Sequence, residues 1–202
     1  MTLLLSMLLF SSAGTDDASG AACTLSDDAR EAFEKLRALV GSDTQPSIVV
    51  EVATQRLYLM GEDGFVSAYP VSTSKYGTGN RDGSNKTPLG AHRIKKKYGE
   101  GAPLGTIFRA REKTGKVAEI RTDETDSQED LITTRILWLE GLEPGINKGR
   151  GIDSYRRYIY IHGTPEEGLI GKPASHGCVR MKNTDVVELF EKVPAGTLVE
   201  IK

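Results

Sequence analysis

Ser175-His176-Gly177-Cys178-Val179-Arg180, read with His162-Gly163-Thr164 upstream, holds two of the three histidines and one of the two cysteines in the chain. A thiol, two imidazoles, a guanidinium and glycines in so short a span are the components of thiol acyl transfer. Cys178 is the candidate nucleophile. A free thiol titrates near ~8.5, so it needs a base or a positive charge beside it to ionise at neutral pH. His162 can supply the base. Arg180 can supply the charge and bind a substrate carboxylate. Gly177 permits a sharp turn that leaves its own N–H and that of Cys178 facing a developing oxyanion. Ser175 and His176 either line that pocket or only fix the shape of the loop. A zinc site from His162, His176 and Cys178 is conceivable on ligand type, but no Cys-x-x-Cys spacing or fourth ligand supports it, and no metal is expected.

His162-Gly163-Thr164 followed by Ser175-His176-Gly177-Cys178-Val179-Arg180-Met181 resembles the signature of the L,D-transpeptidase catalytic domain, also called the YkuD domain. The resemblance takes in Ile48-Val49-Val50-Glu51-Val52, Gln55-Arg56-Leu57-Tyr58, Tyr69-Pro70-Val71-Ser72-Thr73-Ser74 and Gly196-Thr197-Leu198-Val199-Glu200-Ile201. It covers residues 46–202 and is thinnest over 99–153. It implies a mainly β, sandwich- or barrel-like domain with short helices. It implies that the other ring nitrogen of His162 is oriented by a backbone carbonyl near Gly163. It also implies a reaction: Cys178 forms a thioester with a peptidoglycan stem tetrapeptide, releases D-alanine and passes the acyl group to an amine, with no cofactor. The resemblance further implies that carbapenems acylate the thiol. The acceptor stays open between a neighbouring stem, an envelope protein and water, the last giving a carboxypeptidase or hydrolase. A non-catalytic wall-binding module is the alternative from another class. Sortase-type anchoring would call for a Thr-x-x-Thr-Cys block and a more distant arginine.

Bulk properties fit. At 202 residues the chain is one domain with a short appendage. The 26 Lys+Arg against 28 Asp+Glu leave a net charge of −2, which gives no polybasic drive towards nucleic acid. The 22 glycines suggest many turns and a β-rich fold. Two cysteines are too few for a disulfide framework.

Residues 1–25 read as a signal peptide and linker. Met1 to Phe10 is apolar but about half the ~20 residues needed to span a bilayer, so no stable membrane span is expected. Ser11-Ser12-Ala13 offers small residues for cleavage, although no basic residue precedes Arg30. Export to the cell envelope or periplasm is the expectation, with Cys23 unmodified. Residues 26–45 read as an amphipathic helix and its connection: Ser26 caps it, Asp27 and Asp28 suit its first turn, Ala29, Phe33, Leu36 and Val40 recur at helical spacing, and Gly41 ends it.

From Ser47 the period changes to that of strands, with a tight turn at Ala53-Thr54-Gln55 and another at Gly61 to Gly64. Residues 76–90 form a long polar loop without a phosphate-binding pattern. His92, on the strand from Ala91 to Tyr98, reads as structural or solvent-facing. Within 99–153, Gly105–Arg111 and Lys116–Ile120 are expected to pair across Glu112-Lys113-Thr114-Gly115. Arg121 to Asp130 reads as a solvated acidic run, and Leu131 to Leu139 as a strand carrying Trp138. This region either overhangs the active site or is a plain surface insertion. Tyr158 to Ile161 is a strand that delivers His162. Asn183 is the expected cap of a helix whose Val186, Val187, Leu189 and Phe190 face inward, and Thr197 to Ile201 closes the fold.

Overall fold

The structure, a computed structural model, describes residues 25–40, 46–61, 64–127 and 129–202. The apolar run 1–10, the expected cleavage site, Cys23 and Gly41 lie outside them. Helix α1 (Asp27–Val40) starts as its sequence dictates. Ser26 Oγ accepts the Ala29 N–H at 3.0 Å, and Asp27 and Asp28 sit in the first turn, where carboxylates favour the helix dipole. Ala29, Ala32, Phe33 and Leu36 are buried against Val49, Tyr58 and Ala91.

Strands β1 (Ser47–Glu51), β2 (Arg56–Gly61) and β3 (Gly64–Pro70) form an antiparallel meander, and β1 also pairs in parallel with β10 (Leu198–Ile201). Ile48 and Val50 enter the central core while Val49 lies under α1. Both faces of β1 are covered, so its sequence runs apolar without alternation. Beyond β10 the sheet continues through β4 (Gly90–Tyr98), β7 (Ile132–Gly141), β5 (Thr106–Arg109) and β6 (Glu112–Val117). On the other side of β7 lie β8 (Tyr160–Gly163) and β9 (Val179–Met181).

The chain beyond β3 then meets β9. Ser72 N–H donates to Arg180 O at 2.9 Å and Arg180 N–H to Ser72 O at 2.8 Å, which curls the sheet into a barrel-like path. Helix α2 (Asn183–Lys192) sends Val186, Leu189 and Phe190 into the central core, with Val187 only half-buried. Fully burying a side chain of this size contributes about 1.5–3 kcal/mol, so this helix is fixed by its packing. No helix among the described residues is long and apolar enough to cross a membrane.

Three local expectations give way to other arrangements. The hairpin of β5 and β6 turns at Ala110-Arg111, both at positive φ (48° and 70°), while Glu112 to Gly115 lies inside β6. Two left-handed residues match the twist of a tight hairpin, and Gly115 at φ 77° accompanies the register shift between Thr106 and Phe108. Asn183 is the first helical residue of α2, with its side chain turned away from the capping role. The acidic run is exposed along most of its length but ends on Asp130, which folds inward. His92 is fully buried, with Nδ1 2.8 Å from Gly90 O and Nε2 2.9 Å from Ser154 Oγ.

Candidate active site

Strand register assembles the site. β8 and β9 run parallel with His162 opposite Arg180 and Ile161 opposite Val179. Partners in register point to the same face and alternate residues share it. His162, Tyr160, Arg180 and Cys178, which immediately precedes β9, therefore face one side. The Tyr160 N–H lies 3.4 Å from Cys178 Sγ, and the sulfur is 3.5 Å from Tyr158 O. Cys178 is half-buried against the cluster that contains Trp138 and Tyr160. β7 supports β8 from behind through a bulge between Thr133 and Ile136, where Thr134 takes φ 66°.

His162 is 1% exposed. Its Nδ1 is 2.8 Å from Gly163 O, and a carbonyl only accepts, so Nδ1 carries the proton and Nε2 keeps a lone pair. That Nε2 is buried without a hydrogen-bond partner among the described residues. Gly163 is needed for this contact. A Cβ there would stand 2.7 Å from Asn183 Oδ1 and 2.8 Å from Thr133 O. Asn183 is the staple: its Oδ1 accepts from Thr133 Oγ1 at 2.7 Å, and its Nδ2 donates to Thr164 O and Glu167 Oε1, both at 2.7 Å.

Burial pushes the Cys178 thiol up to about 12, with the nearby Asp130 carboxylate acting in the same direction. Burial also lowers the His162 imidazole below its ordinary value, while Asp130 and the Gly163 carbonyl pull the other way. Both shifts favour the uncharged forms, and Nε2 makes no hydrogen bond to Sγ.

Arg180 lies elsewhere than expected. It is 1% exposed, with Nη1 2.7 Å from Glu166 Oε2 and Nε 2.9 Å from Asp130 Oδ1. Arg121 Nη2 is 3.1 Å from the other Glu166 oxygen. This guanidinium is closed from solvent and paired with two carboxylates, which ties it into the base of the site. Asp130 Oδ2 accepts from both the main-chain N–H (3.1 Å) and Nδ1 (3.0 Å) of His176. Ser175 Oγ donates to Cys178 O at 2.6 Å and accepts the Gly177 N–H at 3.2 Å. Ser175 thus fixes the shape of the turn, and the Gly177 amide expected at the oxyanion is already engaged. Gly177 has φ 125°, and a Cβ there would lie 3.3 Å from Lys86 O, so the loop 76–90 backs the turn closely.

The family model of the L,D-transpeptidase catalytic domain (YkuD) matches residues 45–201. The chain belongs to this family. Among curated relatives, Probable L,D-transpeptidase YbiS of Escherichia coli (strain K12) is 54% identical over 44 residues, which is 22% of this chain and 14% of that protein. The chain thus spans a small fraction of that relative's length. Among solved structures, an L,D-transpeptidase from Mycobacterium smegmatis matches at 14% identity and TM-score 0.46, covering 78% of this chain and 58% of that one. L,D-transpeptidase 3 from Mycobacterium tuberculosis in complex with a faropenem-derived adduct matches at 15% identity and TM-score 0.48, covering 78% and 60%.

For this L,D-transpeptidase-family chain, the structure adds three residues that sequence reasoning passed over: Asp130 and Tyr160, which act on Cys178, and Arg111, which reaches the Tyr160 hydroxyl. Asp130 had one signal, its place as the last acid before the apolar run of β7. Tyr160 shared the face of His162 by simple alternation. Arg111 had none, because its position depends on where the hairpin turns.

Proposed function

We propose that this chain is a cysteine-dependent peptidoglycan L,D-transpeptidase acting in the cell envelope after export. The observation that carries the reading is the partnerless, buried Nε2 of His162, aimed by the Gly163 carbonyl on the face it shares with Cys178. In this reading Nε2 takes the Sγ proton as sulfur attacks the carbonyl between the third stem residue and the terminal D-alanine. A C–S bond forms, and the carbonyl electron pair moves to oxygen, where the Cys178 N–H receives it. Collapse breaks the C–N bond, and His162 returns the proton to the departing amine. A thioester remains. An amine acceptor, on a neighbouring stem or an envelope protein, then attacks the thioester. Its proton passes through His162 to sulfur, which leaves as the thiol.

A neutral resting pair suits this sequence. Charge separates only as the C–S bond forms, inside a site whose polar groups are already in place.

The test is incubation of the purified protein with stem tetrapeptides, read by mass spectrometry. Cross-linked stem dimers and free D-alanine are expected, and neither with Cys178→Ala. Tripeptides without dimers would assign water as the acceptor, and unchanged tetrapeptide would refute the reading.

A further inference from the structure

Arg180 is buried against Asp130 and Glu166, and a second cation stands on the aromatic side chains beside Cys178. Arg111, at the tip of the β5–β6 hairpin, lies over the Trp138 ring at 4.8 Å and the Tyr158 ring at 5.4 Å. Its Nη1 is 3.5 Å from the Tyr160 hydroxyl. The same two tyrosines touch the nucleophile through their main chains, Tyr160 N–H at 3.4 Å and Tyr158 O at 3.5 Å from Sγ. Tyr160 therefore touches the sulfur with its main chain and the guanidinium with its hydroxyl. Arg111 is half-exposed, and no carboxylate among the described residues forms an ion pair with it. Arg157, whose charge acts on Cys178 as that of Arg180 does, places Nη1 3.2 Å from Gly79 O and Nη2 2.6 Å from Lys86 O.

A guanidinium has five donors in a planar fork, and one long contact to a hydroxyl leaves most of them available to a carboxylate. The aromatic faces hold it in place, which reduces the ordering cost of binding. We infer that Arg111 is a specificity-determining residue that binds the terminal carboxylate of the acyl donor, on the residue that leaves. This assignment rests on the acyl-transfer reading and adds to it which end of the donor is recognised. It also gives the hairpin of region 99–153 the role of an overhang.

The test compares an N-acetylated stem tetrapeptide ending in D-alanine with its C-terminal carboxamide, on the full chain and on Arg111→Met and Arg111→Lys. A charge-assisted pair is strong enough that the acid-to-amide ratio of kcat/KM should fall about tenfold or more in Arg111→Met, and less in Arg111→Lys. An unchanged ratio, or equal loss on both peptides, overturns the assignment. In parallel, Cys178 is alkylated with iodoacetate and iodoacetamide, and the iodoacetate-to-iodoacetamide rate ratio should fall in Arg111→Met. Where the wild type turns over the peptides, their ratio decides. Where it turns over neither, the transfer reading has failed by itself, and the alkylation ratio alone upholds or overturns the cation's action on the site.

Discussion

Asp130 and His176 are joined twice: one carboxylate oxygen accepts both the His176 main-chain N–H at 3.1 Å and its Nδ1 at 3.0 Å. The other oxygen holds Arg180 Nε at 2.9 Å. One side chain thus ties the turn that carries Cys178 to the strand that follows it. Asp130→Ala would strip a partner from a buried arginine, which costs about 3–5 kcal/mol in comparable pairs. It would also free the turn that carries Cys178 and slow acylation. A drop in urea midpoint together with slower acylation below the unfolding transition is the expected outcome. Unchanged acylation would remove Asp130 from the positioning of the site.

The thiol pushed up to about 12 has its own signature. An ordinary cysteine levels off in its alkylation rate above pH ~8.5, once it is mostly thiolate. Here the rate of iodoacetamide reaction at Cys178 should still be climbing at pH 10. A plateau below pH 8 would mean a preformed thiolate and a different activation.

His92 makes stability depend on pH. Burial lowers it to about 4 from its ordinary 6.5, so between those values the unfolded chain binds a proton that the folded one refuses. Stability is complete above pH 6.5 and is lost as pH falls towards 4, by about 3 kcal/mol at most. Urea unfolding of the wild type and His92→Gln at pH 7.5 and 4.5 should show a smaller pH effect in the variant. Equal losses in both proteins would assign the effect to other groups.

Gly163 faces two obstructions at once, Asn183 Oδ1 and the Thr133 carbonyl. Gly163→Ala should destabilise the fold by roughly 1–3 kcal/mol through overpacking, and should slow acylation by displacing the carbonyl that orients His162. Thermal unfolding and acylation rates measure the two effects. A variant with wild-type values in both would show that Asn183 yields freely.

The parts legible in the sequence were those set by local pattern. The apolar runs of β1, β2, β7 and β10 announced strands, and Ser26 with its two aspartates announced the start of α1. Thiol, imidazole and glycine in one short span marked the turn proposed to carry the nucleophile. What stayed hidden depends on long-range register. Arg180 reads identically whether it meets a substrate or two buried carboxylates, and only the fold brings Asp130 and Glu166 to it. Asp130 looked solvated because its neighbours are exposed, although the entry into β7 turns it inward. Asn183 has the composition of a cap, but the bulge in β7 brings Thr133 within reach of its side chain.

The most direct measurement of the central claim is intact-protein mass after exposure to imipenem, for the wild type, Cys178→Ser and His162→Ala. The account predicts that the wild type gains the mass of one drug molecule, Cys178→Ser gains none and His162→Ala gains it far more slowly. A wild type that stays unmodified, or a Cys178→Ser variant that is modified equally, would contradict it.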